Sequence, residues 1–140
     1  KVDEAGRVTT PKQPAFSVYK NNGGVAATNT VIWNATYVNT GGHLNNLNGV
    51  FTAPVAGQYF FNVTALSTNS EDRFDLKLVK NNSQIQEVRY HPNAAGGHNT
   101  LNMTCIITLS ANDGVSVLVT VGEMYGAGST WNRFSGYLIG

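Results

Sequence analysis

The histidines and carboxylates of this chain show no spacing that would support catalysis. His43, His91 and His98 lie in turn-rich segments, and none belongs to an H-E-x-x-H arrangement that would place two imidazoles on one metal ion. No G-x-S-x-G elbow is present to expose a nucleophilic serine. Acidic residues stand in pairs only at Asp3-Glu4 and Glu71-Asp72, in segments predicted to be solvated. Because no nucleophile occurs with a base in a recognisable pattern, we predict that the protein is not an enzyme.

The single cysteine, Cys105, excludes a disulfide within the chain. It alternates with Leu101, Met103, Ile107 and Leu109, so it falls on the apolar side of a strand-like run. A thiol in that position behaves as a small apolar side chain. We therefore predict that Cys105 lies in the core, with pairing between two chains as the alternative.

Three turn-rich segments combine aromatic, basic and amide side chains, which together form the chemistry of a recognition site. An aromatic ring offers an apolar face on which a sugar can stack, and neighbouring amides supply donors and acceptors. A guanidinium can pair with a carboxylate on the ligand. Binding loops gather at the ends of a rigid sandwich. The predicted ligand contacts are Arg73, Arg89, Tyr90, His91, Tyr125, Trp131, Asn132 and Arg133.

The elements that must carry these loops are strands, because apolar residues recur with a period of two and no helical stripe is present. Asparagine, glycine, proline and aspartate clusters separate the runs, as in an antiparallel sandwich or barrel. The turn signal most typical of a hairpin is Asn112-Asp113-Gly114. We predict ten strands, near 15–20, 31–34, 36–39, 48–53, 57–66, 73–80, 83–91, 100–110, 114–121 and 133–139.

Composition narrows the class of partner. Charged residues make up 12% of the 140 residues and the formal net charge is +1, so there is no basic footprint for nucleic acid. No window approaches the roughly 20 apolar residues that a membrane-spanning helix needs, so we predict no membrane insertion. Four N-x-S/T triplets mark possible glycosylation and favour a secreted protein, although chance also produces such triplets in an asparagine-rich chain; they begin at Asn34, Asn62, Asn81 and Asn102.

Several predicted strands carry apolar residues on both faces. Phe61 and Val63 occupy one face of their strand while Phe60 lies on the other. A strand of this kind in an antiparallel sandwich requires a cover on its outer face, since an exposed patch promotes aggregation. Scattered surface apolar residues are the alternative. We predict an interface between copies of the chain that includes Tyr19, Phe60, Ile106, Tyr137 and Ile139.

A set of aromatic, asparagine and glycine residues has a distinctive spacing: Trp33, Asn39, Leu44, Phe51, Gly57, Tyr59 and Phe61, followed near the end by Phe134-Ser135-Gly136-Tyr137-Leu138. This arrangement resembles the globular domain of complement C1q, within the C1q/tumour-necrosis-factor fold group. Trp33 replaces the usual phenylalanine and Val63 replaces the final aromatic residue, but both remain apolar. The predicted core is Phe16, Trp33, Phe51, Gly57, Tyr59, Phe61, Cys105 and Phe134.

The resemblance implies an all-β, ten-stranded antiparallel jelly-roll sandwich that forms a homotrimer. It covers residues 15–140, which leaves residues 1–14 as an N-terminal tail or linker. Some members hold calcium near the trimer apex, but the comparable segment here, Tyr90-His91-Pro92-Asn93, has no carboxylate. We predict no cofactor, and calcium is the one metal that the resemblance leaves open.

The resemblance also implies a function in recognition. The first hypothesis is a secreted, extracellular pattern-recognition protein of innate immunity, lectin-like, that binds glycans or microbial surface ligands. The second is a secreted ligand for a protein receptor, of the cerebellin or synaptic-organiser type, and the third is a structural extracellular component. Tyr125 and Trp131 also fit two roles, since aromatic residues serve in ligand binding and in subunit packing near a trimer axis.

Overall fold

Alternating apolar side chains fold the chain into a sandwich of two antiparallel sheets. In the computed structural model, residues 2–68, 73–91, 97–126 and 131–140 are described. The first sheet has five strands, which lie in the order β3 (Ala35–Thr40), β1 (Ala15–Lys20), β12 (Asn132–Leu138), β6 (Gly57–Leu66) and β9 (Thr100–Leu109).

The second sheet also has five strands, in the order β4 (Leu44–Asn45), β5 (Val50–Thr52), β10 (Gly114–Val121), β7 (Phe74–Lys80) and β8 (Ser83–Tyr90). A small third sheet pairs β11 (Glu123–Met124) with β2 (Val25–Ala26). Every pairing between these strands is antiparallel. The predicted all-β sandwich of ten strands is confirmed. Within the described residues no helix is long and apolar enough to cross a membrane.

Aromatic rings fill the space between the two sheets. The ring of Phe16 stacks on Phe51 with centroids 4.9 Å apart and meets Phe134 edge-on at 4.8 Å. Phe51 also meets Phe61 at 5.7 Å. Of the predicted core residues, Cys105 and Gly57 are half-buried and the others are buried: Phe16, Trp33, Phe51, Tyr59, Phe61 and Phe134. Burial raises the pKa of the Cys105 thiol.

Two residues of the spaced set that includes Trp33 and Phe61, namely Asn39 and Gly57, have local structural roles. The Asn39 amide donates to the Leu44 carbonyl at 2.8 Å and accepts from the Leu44 N–H at 3.1 Å, which closes the turn between β3 and β4. The φ of Gly57 is not in the left-handed region, so glycine is not required there by the backbone conformation. A Cβ there would lie 2.7 Å from the Leu138 side chain and 2.9 Å from the Gly140 carbonyl. Gly57 therefore allows the C-terminal residues to approach β6 closely.

The predicted strand at residues 31–34 is wrong. Thr30 makes one isolated bridge to Leu118, and the Val31 N–H donates to the Val117 carbonyl at 2.8 Å before the chain leaves the sheet. Val31 and Trp33 are buried because the segment crosses the core from one sheet to the other. Alternating apolar residues in a crossing segment look like a strand although they have no continuous partner.

The predicted hairpin at Asn112-Asp113-Gly114 is also wrong. This turn connects β9 of the first sheet to β10 of the second, because the apolar sides of both strands face the same core from opposite sheets. The tight hairpin lies instead at Asn81 and Asn82, which join β7 to β8 with φ values of 48° and 67°. Asparagine tolerates this left-handed conformation better than most residues do.

The N-terminal residues fold back onto the end of the sandwich. Asp3 accepts from the N–H groups of Ala5 and Arg7 and pairs with the Arg7 guanidinium at 2.6 Å. Hydrogen bonds from the Arg7 backbone N–H and side chain lower the pKa of Asp3. Further along, the Gln13 side chain donates to the Leu138 carbonyl. The segment predicted as a tail therefore contacts β12 just before the first strand begins.

Candidate functional site at the loop end of the sandwich

The three loop segments predicted to bind ligand all emerge at one end of the sandwich. Antiparallel pairing places the end of β6 beside the start of β12, and the end of β8 beside the start of β7. The start of β9 lies against the end of β6, with Thr100 opposite Leu66. Within these loops, residues 69–72, 92–96 and 127–130 lie outside the described residues.

Three aromatic side chains from two of these loops form a cluster, which we call the aromatic cluster: His98, Tyr125 and Trp131. The His98 and Tyr125 rings are 4.5 Å apart between centroids, and Tyr125 and Trp131 are 5.5 Å apart. The Trp131 side chain is 50% exposed. The structure therefore brings the two predicted aromatic residues together and adds a histidine that was not predicted as a contact.

Buried polar groups hold the aromatic cluster in place. His98 Nδ1 lies 2.7 Å from the Ser67 carbonyl oxygen, and the Tyr125 N–H donates to the Leu66 carbonyl at 2.7 Å. The Asn132 amide donates to the Tyr125 carbonyl at 2.5 Å and accepts from the Leu66 N–H at 2.8 Å. Asn132 is buried and both ends of its amide are engaged, so its prediction as a ligand contact is corrected. Its role is to position Tyr125.

A second group, on the outer face of the second sheet, centres on Asp75. Its side chain is fully buried, and one carboxylate oxygen, Oδ2, accepts from the Arg73 guanidinium and from Arg89 Nε at 3.0 Å. The hydrogen bond to Asp75 raises the pKa of Arg73. Charged residues at alternate positions of a strand, here Asp75 and Lys77, are typical of a solvated face. Asp75 is buried instead because two arginines cover it.

The remaining predicted contacts are separated from the aromatic cluster. Tyr90 is half-buried, packs against the core and lies opposite Phe74, while His91 is exposed at the end of β8. The Arg133 guanidinium lies 5.0 Å from the centre of the Tyr37 ring, on the outer face of the first sheet. The eight predicted residues thus divide among four places rather than forming one site: the aromatic cluster, the Asp75 group, the end of β8 and the outer face of the first sheet.

The predicted interface residues share the outer face of the first sheet. Tyr137, Phe60 and Ile106 lie side by side across β12, β6 and β9, with the Phe60 and Tyr137 rings 5.3 Å apart. Ile106 is 61% exposed and Tyr137 is 47% exposed in the single chain. Tyr19 stacks on Tyr37 at 4.5 Å further along the same face, and Ile139, beyond the end of β12, is also exposed.

Two of the four glycosylation triplets lie on this same face and pair with each other. Asn62 donates to Thr104 at 2.8 Å, and Asn102 donates to Thr64 at 2.9 Å, so each asparagine bonds the threonine of the other triplet. Of the other two triplets, one begins at Asn34 directly before β3 and one begins at Asn81 in the turn between β7 and β8. Asn34 donates to the side chains of Asn21 and Asn22, and Asn81 donates to Asp113 at 2.7 Å.

The described residues contain no group of three histidine, cysteine, aspartate or glutamate side chains close enough to hold a metal ion. The Asp75 group offers a single buried carboxylate that already pairs with two cations. Calcium needs several oxygen ligands, so these residues do not fit it.

Comparison with known proteins bears on the fold. A sequence profile of the C1q domain matches residues 15–139. The chain belongs to the C1q domain family. It is 23% identical over 109 residues to complement C1q tumor necrosis factor-related protein 3 of Mus musculus. The aligned region covers 78% of this chain and 44% of that protein. The chain thus spans less than half the length of this relative.

Two solved structures show the same fold as this C1q domain. The globular domain of the zebrafish complement 1qA protein matches with a TM-score of 0.75 and 24% identity, covering 91% of this chain and 98% of that one. Eiger TNF from S. frugiperda matches with a TM-score of 0.78 and 14% identity, covering 92% and 94%. At these identities the likeness establishes the jelly-roll fold of the C1q and tumour necrosis factor group.

Proposed function

We propose that this C1q domain is a secreted, non-enzymatic recognition module that binds glycans or microbial surface ligands at its loop end, in innate immunity. The aromatic cluster is the observation that carries the proposal. Trp131 presents an exposed indole face, and Tyr125 and His98 extend the ring surface beside it. The His98 ring and the Tyr125 backbone are held by hydrogen bonds, so this part of the cluster loses little conformational freedom when a ligand stacks on it, which favours affinity.

The cluster also has a defined hydrogen-bonding partner for a sugar hydroxyl. Because the Ser67 carbonyl can only accept, His98 Nδ1 carries the proton of their 2.7 Å hydrogen bond. In the neutral imidazole this leaves Nε2 as an acceptor. A flat apolar surface bordered by an acceptor suits a sugar ring, which has an apolar face and hydroxyl groups at its edge.

Trimer formation would strengthen such binding. The exposed row of Tyr137, Phe60 and Ile106 supports association of this C1q domain through its first sheet. Three linked sites raise the avidity for repeated surface groups without any new contact.

The test is a glycan array read with the trimeric protein, comparing the parent with Trp131→Ala and Trp131→Phe. We expect the alanine variant to lose about tenfold or more in affinity, because the stacking surface is removed, while phenylalanine retains part of it. Light scattering on both variants must report the same oligomer as the parent.

Two results would redirect the assignment. If the parent trimer binds no glycan or microbial polysaccharide, the domain is better assigned as a ligand for a protein receptor. If Trp131→Ala dissociates the oligomer, the aromatic cluster belongs to a subunit interface, and the recognition site lies elsewhere.

A further inference from the structure

The Asp75 group holds two guanidinium groups in fixed positions at the surface. Arg73 and Arg89 both bond Oδ2 of the buried Asp75 carboxylate, and their side chains are 36% and 54% exposed. An arginine fixed by a buried carboxylate has already lost much of its rotamer freedom, so an incoming anion does not have to order it again. Guanidinium groups presented in this way are suited to carboxylate and sulfate.

Donors remain open on both arginines. Arg89 uses Nε for Asp75, and its Nη2 lies 3.6 Å from a Glu87 carboxylate oxygen, too far for a hydrogen bond. Arg73 bonds through Nη2, and within the described residues its buried Nε has no hydrogen-bond partner. Asp75 Oδ1 is likewise buried without a partner among these residues. Because Arg73 Nε and Asp75 Oδ1 are buried, an anion at the surface would meet the remaining outward N–H groups of the two exposed guanidiniums.

The charge of this face favours an anion. Among the described residues of this face, the register of β7 and β8 brings together Lys77, Arg89, Asp75 and Glu87, and with Arg73 these are three cations and two anions, a net charge of +1. Lys80, at the end of β7, pairs instead with Asp113. One of the two anions, Asp75, is fully buried and already shared. Glu87 is therefore the described carboxylate that would compete with a ligand for Arg89.

A groove continues from this group along the same face. Lys77 lies opposite Glu87 in the register and lines a cavity of about 340 Å³. The other lining residues supply hydroxyl and amide groups with two apolar side chains, and none of these described residues is acidic: Thr30, Asn82, Gln84, Ser116, Val79 and Leu118. Neutral hydrogen-bonding groups beside a cation match the surface of a sugar better than that of an apolar ligand.

We infer that the outer face of the second sheet binds an acidic oligosaccharide. Its carboxylate or sulfate pairs with Arg73 and Arg89, and an adjoining sugar occupies the groove beside Lys77. This site uses none of the residues of the aromatic cluster, so its test is independent of the test of glycan binding proposed above. A ligand anion replaces the weak contact between Arg89 and Glu87 and leaves the buried Asp75 pair intact.

The test uses the full chain and isothermal titration with oligogalacturonate and its methyl ester, which has the same sugar backbone but no carboxylate charge. Dextran sulfate and dextran form the second pair of ligands. Comparison of the two pairs shows whether the site binds carboxylate or sulfate groups. Arg89→Gln should weaken acidic binding about tenfold, since a charge-assisted pair is lost. Glu87→Gln should strengthen it about threefold, because the competing carboxylate is removed. Lys12→Gln, which removes one exposed positive charge at the other end of the domain, is the matched control.

The direction of the Glu87 effect distinguishes ligand binding from a purely structural role, because loss of an internal ion pair would not raise affinity. Thermal unfolding of each variant verifies that it is folded. Equal weakening by Arg89→Gln and Lys12→Gln would overturn the site in favour of diffuse electrostatics. Unchanged affinity in Glu87→Gln, or equal binding of poly-L-glutamate, would overturn it as well.

Discussion

Single buried polar side chains determine the shape of the loop end. Asn132 and Ser67 are both buried. The Asn132 side chain fixes the backbone of Tyr125, and the Ser67 side chain accepts from the Asn99 N–H at 3.0 Å, beside His98, whose ring bonds the Ser67 backbone carbonyl. Asp75 does the same for two arginines. The exposed residues Trp131 and His91 can then contact partners without having to stabilise the fold. Buried polar groups of this kind are costly to disrupt because the partner left behind is unsatisfied.

Phe51 is the residue whose loss should affect stability most directly. It is fully buried and contacts the rings of Phe16, Tyr59 and Phe61. Phe51→Ala should lower the free energy of unfolding by about 3–5 kcal/mol through lost burial and the cavity that remains. Urea denaturation followed by tryptophan fluorescence measures this difference.

The matched control is Leu47→Ala, because Leu47 is 87% exposed in the connection between β4 and β5. We expect this change to stay within about 0.5 kcal/mol of the parent. A comparable loss of stability in both variants would contradict the central position of Phe51.

The buried residues of the core could be predicted from the sequence, but the hydrogen-bond and ion-pair partners of the polar residues could not. Phe16, Phe51 and Phe61 each have a second apolar residue two positions later, and that period together with the spacing typical of the C1q domain indicates their buried side. Nothing near Asp75 in the sequence shows that Arg89, on the next strand, would cover it. The pairing of His98 with Ser67 is equally nonlocal, because it joins two loops that meet only when β6 and β9 pair.

Among strands and turns, the connection from β9 to β10 shows how side chains shape a loop. The Asp113 carboxylate accepts from the Ser110 N–H at 2.8 Å, from Asn81 at 2.7 Å and from Lys80 at 3.0 Å. These interactions, led by the Ser110 hydrogen bond, lower the pKa of Asp113 to about 2. The turn thereby links β9 to the hairpin between β7 and β8.

This lowered pKa predicts acid sensitivity. A carboxyl that titrates near 2 when folded and near its usual value of about 3.9 when unfolded stabilises the fold above pH 4. That stabilisation should disappear as the pH falls from about 4 to about 2. Asp113→Asn should show a flatter dependence of melting temperature on pH in this window, as measured by calorimetry. Parallel curves for parent and variant would show that the Asp113 charge is not involved.

Long strands with an apolar residue at every second position, such as β6 and β10, could be predicted to their ends. The two-residue strands β2, β4 and β11 could not, because so short a segment has no period to detect. The sequence also could not show that the strands on either side of Asn112-Asp113-Gly114 belong to different sheets. That turn has the composition of a hairpin but carries the chain from one sheet to the other.

Across the whole domain, the outer face of the first sheet is the surface that should control assembly. Ile106→Glu places a charge in the middle of the apolar row with Phe60 and Tyr137. Burying an unpaired carboxylate in an interface is unfavourable by several kcal/mol, so we expect this variant to be smaller than the parent by multi-angle light scattering.

The control for assembly is Leu47→Glu, which makes a similar apolar-to-acidic change outside that row. It should leave the oligomer unchanged. A parent that is monomeric at micromolar concentration would contradict the interface, and so would dissociation of both variants.

The reciprocal bonds between Asn62 and Thr104 and between Asn102 and Thr64 bear on how a glycosylating cell would make this protein. Oligosaccharide transfer requires an asparagine amide that is still free, whereas pairing of β6 with β9 engages both amides at once. An attached sugar on either residue would also stand on the face that subunits are proposed to share. Rapid pairing of these two strands during biosynthesis therefore protects the assembly surface from modification, while slow pairing would leave part of the population as permanently separate chains.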